Sequence, residues 1–165
     1  MVTVRRARTP DVDAIHDLVA AHAGAGLLLE KTRVGLYEDV QEFRVAEDGG
    51  EVVGCGALHV LWRDLAEVRT LVVRPSARGR GVGGALLAAL LDGARDLGIG
   101  RVFCLTFETA FFAAHGFTPI DGVPVDRAAY EEMLRSYDDG VAEFLDLERV
   151  KPNTLGNTRM LAVLD

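Results

Sequence analysis

Gly79, Gly81, Gly83 and Gly84, interleaved with Arg78 and Arg80 and followed at once by a leucine-rich run, are residues whose types and spacing could bind an anion. Glycine leaves main-chain N–H groups unshielded, and where a helix begins those groups and the helix dipole point at negative charge. Arg74, Arg78 and Arg80 add three cations beside that turn in a chain of formal net charge -7, which focuses attraction for a phosphate-bearing ligand. Two ligands fit the letters. Gly79, Gly81 and Gly84 satisfy the G-x-G-x-x-G of a dinucleotide site, and Glu108 offers an acid about two dozen residues on. In that motif, however, the first glycine turns directly at the strand's end, whereas Arg74-Pro75-Ser76-Ala77-Arg78 intervenes here. No GK[ST] follows, which removes a Walker-type loop. The pyrophosphate of coenzyme A is the other ligand such a turn would hold.

The elements that must position these residues follow from periodicity. Phe43 to Glu47 and Val52 to Trp62 are strand-like runs joined through Asp48-Gly49-Gly50, a hairpin turn, and Ala66 to Val73 is the next strand. Beyond the glycines, Leu86, Leu87, Leu90, Leu91, Ala94 and Leu97 form a helical stripe that ends at Gly98. The glycine turn therefore lies between a strand and a helix. Arg101 to Phe107 predicts a buried strand, Glu108 to His115 a short helix stopped by Gly116, and Phe117 to Ile120 a further strand. Upstream, Met1 to Ala7 reads as a strand. Thr9-Pro10-Asp11 then supplies an N-cap, a first-turn proline and an acid for a helix over 11–23, with Ile15, Leu18, Val19 and His22 facing inward. Lys31 to Val40 fits a short helix, DRAAYEEMLRSYDDG a helix, KPNTLGNT a loop and RMLAVL a closing strand. With no repeat or linker, residues 1–165 predict one mixed α/β domain.

Composition narrows the function. Net charge -7 argues against general nucleic-acid binding, which wants a basic surface. Cys55 and Cys104 lack CxxC spacing and only four histidines are scattered along the chain, so a reduced, cytoplasmic protein with no metal site is expected. No apolar run is long enough for a membrane span, and MVTVRRARTPD lacks the apolar stretch of a signal peptide.

The longer pattern V-x-P-x-x-R-G-x-G-x-G, Val73 to Gly83, fixes a proline and an arginine as well as the glycines. It resembles the acetyl-CoA signature of the Gcn5-related N-acetyltransferases (GNAT). That resemblance implies an α/β fold whose mixed, mostly antiparallel sheet is splayed between two central strands, here Ala66 to Val73 and Arg101 to Phe107, and flanked by helices. It also implies acetyl-CoA as cosubstrate, with Arg78, Gly79, Arg80, Gly81, Gly83 and Gly84 at its pyrophosphate and main-chain groups of Leu71 and Val73 along its pantetheine arm. GCGALHVLWRDLAEVRTLVV, RVFCLTFETAFFAAHGF and YDDGVAEFLDLERVKPNTLGNTRML are similar to the short, single-domain amino-acid N-acetyltransferases of the N-acetylglutamate synthase type found in actinobacteria. The similarity implies L-glutamate as acceptor, a role in the first step of arginine biosynthesis, and a homodimer. Glutamine, another small amine, a protein amine and a non-catalytic acyl-CoA sensor remain as alternatives.

Acyl transfer to an amine needs a deprotonated nucleophile, a site for the developing oxyanion and a way out for the thiolate. Glu67, on the strand that leads to the acetyl group and matching the family's acidic position, is the candidate proton acceptor. A main-chain amide near Leu71 or Val72 would hold the thioester oxygen, as in related enzymes. Where many relatives carry a tyrosine as acid for the thiolate, this chain has Phe112, four residues before Gly116-Phe117; water or Thr106 would serve instead. A dicarboxylate acceptor calls for cations, best a forked arginine, and Lys31, Arg69 and Arg159 are the candidates, with Arg33 behind them. Arg69 shares a face with Glu67 and Leu71 if the strand is regular; a bulge would change the phase. His59 and Cys55 share a face of the preceding strand, where a core histidine is expected.

Overall fold

The computed structural model describes residues 1–23, 31–145 and 156–165. Among these residues seven strands are hydrogen-bonded in the order β1-β2-β3-β4-β5-β7-β6, a mixed and mostly antiparallel sheet. In chain order they are β1 (Val2–Arg6), β2 (Phe43–Asp48), β3 (Glu51–Trp62), β4 (Leu65–Val73), β5 (Arg101–Thr106), β6 (Thr118–Pro119) and β7 (Thr158–Val163). The helices are α1 (Val12–Ala23), α2 (Arg33–Glu38), α3 (Val82–Asp96), α4 (Thr109–Ala114), α5 (Arg127–Met133) and α6 (Asp139–Phe144). The chain divides into two compact units, Met1–His59 with Val68–Gly98, and Val60–Glu67 with Ile99–Asp165.

In the first unit β1 pairs antiparallel with β2 (Val4↔Ala46) and β2 with β3 (Val45↔Cys55). Alternation along these strands sends residues to two faces. Val12, Ile15, Leu18 and Val19 of α1 and Leu36 of α2 pack with Phe43, Val45, Cys55, Ala57 and Val72. On the opposite face Val82 and Leu86 of α3 join Ala46, Val53 and Ala77. Gly56 is what lets α3 and β4 approach β3: a Cβ there would lie 2.9 Å from Leu71 Cδ1 and 3.0 Å from Leu90 Cδ1. The predicted stripe on α3 is buried from Leu86 to Ala94, but Leu97 caps the helix and is 62% exposed, because the chain turns away at Gly98 with φ +80°. The predicted N-cap at Thr9 is likewise displaced. Thr9–Asp11 is a 3-10 turn, and the Asp11 carboxylate accepts from the Arg8 amide at 2.7 Å and from the Arg5 guanidinium at 2.8 and 2.9 Å.

In the second unit β4 and β5 run parallel through Ala66↔Val102 and Glu67↔Phe103. Along its whole length β5 pairs with β7, from Arg101↔Val163 to Thr106↔Thr158. Leu61, Leu65, Phe103, Met133, Val141, Phe144 and Leu145 form its core. The helix expected over DRAAYEEMLRSYDDG is two, α5 and α6, each capped by an aspartate: Asp126 accepts from Ala129 N at 2.8 Å and Asp138 from Val141 N at 2.9 Å. Two competing N-caps in one run end the first helix and start the second.

Candidate active site

The glycine turn of the first unit has the geometry its sequence predicts. Pro75–Ala77 makes a 3-10 turn after β4, then Gly79 (φ +77°) and Gly81 (φ +76°) take left-handed conformations that place Gly81 as the N-cap of α3. Open space lies around both, with no atom within 4 Å of a Cβ built there, so backbone conformation is what demands glycine. The first intrahelical bond runs from Ala85 N to Gly81 O at 3.0 Å. The amides of Val82, Gly83 and Gly84 precede it and point out of the helix end, the arrangement that receives an anion.

The three arginines beside the turn differ. Arg74 pairs with Glu51 at 3.1 Å and donates to Val52 O, and Arg80 pairs with Asp48 at 2.9 Å. Asp48 also takes the N-terminal ammonium at 3.3 Å, and Arg80 first, then that ammonium, hold its carboxyl below the usual range. Arg78 has no carboxylate partner among the described residues. It donates to Val73 O at 3.4 Å and its Nη2 lies 3.2 Å from His22 Nε2. Since His22 Nδ1 lies 3.1 Å from Leu18 O, the neutral ring donates there and receives Arg78 at Nε2. Among the described residues Arg78 is thus the cation at the turn whose charge is not met by a carboxylate. His22, read from sequence as an inward-facing helix position, had no signal for this contact.

Along β4, Thr70 has φ +58° and is buried. For a β-branched residue this is a genuine outlier, costing about 1–3 kcal/mol, of the kind that collects at functional sites. Regular alternation is broken there. Leu71 turns toward Gly56 and the α3 face, and Val72 packs into the core under α1 and α2. The phase that would set Arg69 beside Leu71 therefore does not carry through Thr70; Arg69 is half-buried. A threonine in a strand-like run gives no sequence signal for a positive φ. Cys55 Sγ contacts Thr70 O at 3.6 Å, and burial pushes that thiol up to about 12, so it is no nucleophile.

Lys31 is half-buried immediately before Thr32, whose hydroxyl caps α2 by accepting from Gly35 N at 3.1 Å; residues 24–30, in the segment before it, lie outside the described residues. Arg33 is paired with Asp13 at 3.0 Å. His59 is no core histidine: its Nδ1 is hydrogen-bonded to Glu42 and its side chain is 21% exposed.

In the second unit Glu67 is 3% exposed beside Phe103 on β5. Burial raises the Cys104 thiol, and the neighbouring Glu67 charge raises it further. Arg159 is held by main-chain carbonyls. Its guanidinium donates to Gly122 O at 2.8 Å, Glu143 O at 3.0 Å and Phe144 O at 2.7 Å, and stands 5.5 Å over the Phe103 ring. It holds the last carbonyls of α6. Phe112 is buried edge-on to Phe111 and Phe117, both at 5.1 Å, so the position that would carry a phenol belongs to the core. Thr106 is buried, with its hydroxyl oxygen accepting from Glu108 N at 2.8 Å. Among the described residues no group of three or more histidine, cysteine or acidic side chains could hold a metal, and no helix is long and apolar enough to cross a membrane.

Residues 14–118 match the model of the acetyltransferase (GNAT) family. The chain is 63% identical over 164 residues to a Mycobacterium tuberculosis protein named amino-acid acetyltransferase, covering 98% of this chain and 94% of that one. A crystal structure of a Mycobacterium tuberculosis protein in complex with CoA and NLQ superposes with a TM-score of 0.96 at 62% identity, covering 99% of both chains. N-acetylglutamate synthase from Neisseria gonorrhoeae, complexed with coenzyme A and N-acetyl-glutamate, gives a TM-score of 0.79 at 27% identity; the match covers all of this chain and 35% of that longer one.

Proposed function

Because the chain belongs to the acetyltransferase (GNAT) family, we propose that it moves the acetyl group of acetyl-CoA to the α-amine of a free amino acid, L-glutamate, the first step of arginine biosynthesis in the cytoplasm. The observation that carries this reading is the amide nest at the start of α3 in a chain alike over almost its whole length to an amino-acid acetyltransferase.

Acetyl-CoA supplies an acyl group already activated as a thioester. Amides of residues 79–84, with Arg78 beside them, bind its pyrophosphate, and the main chain of Leu71 and Val73 lines its arm. The displaced backbone at Thr70 directs an amide of β4 at the thioester oxygen as negative charge develops there. Glu67, on the same strand, accepts a proton from the attacking nitrogen, and Lys31 and Arg69 hold the acceptor's carboxylates. With Phe112 in the core, the departing sulfur leaves as thiolate; a thiol of pKa about 8.5 allows that near neutral pH. Arg159, occupied by three carbonyls, serves the acceptor indirectly by fixing the end of α6.

Thiol release from acetyl-CoA, screened over free amino acids including glutamate and glutamine, tests this. Glutamate-dependent release is expected, with Glu67→Gln lowering kcat by about 100-fold or more and leaving CoA affinity unchanged. Tight CoA binding with no amino-acid-dependent release would favour an acyl-CoA sensor.

A further inference from the structure

An amine that enters as ammonium and leaves as amide sheds two protons. As the N–C bond forms and the C–S bond breaks, the sulfur departs as thiolate and one of these protons ends on it afterwards; the other must go to solvent. Glu67, at 3% exposure, suits the first proton and is poorly placed to discharge the second to water.

We propose that His59, held by Glu42, takes that second proton and passes it to solvent, a catalytic group on β3 additional to Glu67. This rests on the acetyl-transfer reading above. On one face of β3, Cys55 and Ala57 are fully buried, and Leu61 farther along is 8% exposed. His59 interrupts this apolar stripe with a side chain 21% exposed. A histidine there for packing alone would leave its polar nitrogens among aliphatic neighbours; here Nδ1–H instead donates to the Glu42 carboxylate. That bond fixes the tautomer. Nε2 keeps its lone pair for a proton, and Glu42 holds the ring in the orientation that presents it.

Two further features connect the pair with residues assigned above to the acceptor. The face of β3 that carries His59 also carries Cys55, which touches the strained carbonyl of Thr70. Glu42 closes the 3-10 turn Val40–Glu42 that follows α2, and Lys31, assigned to the acceptor carboxylate, lies just before that helix. The pair therefore ties the turn that follows α2 to β3, the strand whose Cys55 meets Thr70. The elements of this unit beside β3 carry the ionisable side chains Asp13, His16, Asp17 and His22 on α1, Arg33, Tyr37 and Glu38 on α2, Asp39 after it, Arg44, Glu47 and Asp48 on β2, and Arg69 on β4; the hydrogen bond of His59 is to Glu42.

The test is the pH dependence of kcat/KM for the amino acid in His59→Gln and Glu42→Gln, on an enzyme first shown to turn over glutamate and to bind CoA by calorimetry. His59→Gln is expected to lose about 100-fold at pH 7 and to regain rate steadily toward alkaline pH, where the free amine supplies itself, with the KM for acetyl-CoA unchanged. Glu42→Gln, in which the ring is no longer held in that tautomer by a carboxylate, loses less, about 10-fold, with the KM for acetyl-CoA again unchanged. Imidazole restores part of the rate to His59→Ala. A His59→Gln enzyme whose profile keeps the wild-type shape, or Glu42→Gln with the wild-type rate at pH 7, overturns the inference and leaves acetyl transfer standing. Absence of turnover in the wild type removes the activity itself, and this role with it.

Discussion

The turn that leads into α3 and the face of β5 that carries Phe103 both rely on arginine, in opposite ways. At the turn, the anion site is main chain, two glycines at positive φ and three outward amides, and the arginines stand around it, two of them already paired with carboxylates. Over β5, the guanidinium of Arg159 from β7 is itself the structure, joining the carbonyls of Gly122, Glu143 and Phe144 above Phe103. An arginine's sequence position does not say whether it serves a ligand or the fold. What decides is whether carbonyls or carboxylates from elsewhere in the chain reach it first.

Gly81→Val should break the first region most severely. No neighbour blocks the new side chain, so the cost is that of a β-branched residue at φ +76°, about 1–3 kcal/mol, together with an N-cap that relaxes and turns its amides away. CoA affinity by calorimetry is expected to fall about 100-fold while the far-UV signal survives. Unchanged affinity would mean that the arginines, and not the amides, hold the phosphates.

Arg159→Ala is the matching cut in the second region. Three carbonyls lose their donor and Phe103 loses its cation, which should cost about 2 kcal/mol in urea unfolding and leave CoA affinity as it was. If stability holds and the KM for glutamate rises instead, Arg159 is an acceptor ligand and the contrast between the regions fails.

The same contrast explains what was legible in the sequence. The turn, its flanking strand and α3 were readable because glycine conformations and helix stripes are local properties: Gly79 and Gly81 needed no partner to identify them. Strand runs were placed to within a residue or two for the same reason. The side-chain sites were not readable in this way. Arg159 meets Gly122 and Glu143, Arg78 meets His22, and His59 meets Glu42, pairings that only the folded chain creates. Thr70 is harder still, since a β-branched residue is ordinary in a strand and only the surrounding sheet forces its positive φ. Phe112 marks the middle ground: its departure from the family's tyrosine was visible, but its burial against Phe117 was not.

Asp11→Asn probes a side-chain site built from Arg5 and the Arg8 amide. The Arg5 guanidinium holds the Asp11 carboxyl below its ordinary range, against the opposing effect of burial. A depressed carboxylate contributes stability above its unfolded value, near pH 4, and loses it as pH falls through its folded value. The variant should therefore lose about 1 kcal/mol at pH 7 and show a flatter decline below pH 4 in thermal unfolding. A decline as steep as the wild type's would assign acid sensitivity to other carboxylates.

Asp48→Asn carries the smallest effect and the finest discrimination. Asp48 draws Arg80 and the N-terminus to itself at the edge of the glycine turn, and such exposed pairs contribute little to folding, so the melting temperature should not move. Near an anion site, however, removing a negative charge and releasing a guanidinium act in the same direction. CoA affinity should rise about two- to five-fold at low salt and return to the wild-type value near 1 M, where charges more than about 3 Å apart are screened. A fall in affinity would mean that Asp48 orients Arg80 toward the phosphates. In that case side-chain geometry governs the turn as it governs β5, and the two regions differ less than their backbones suggest.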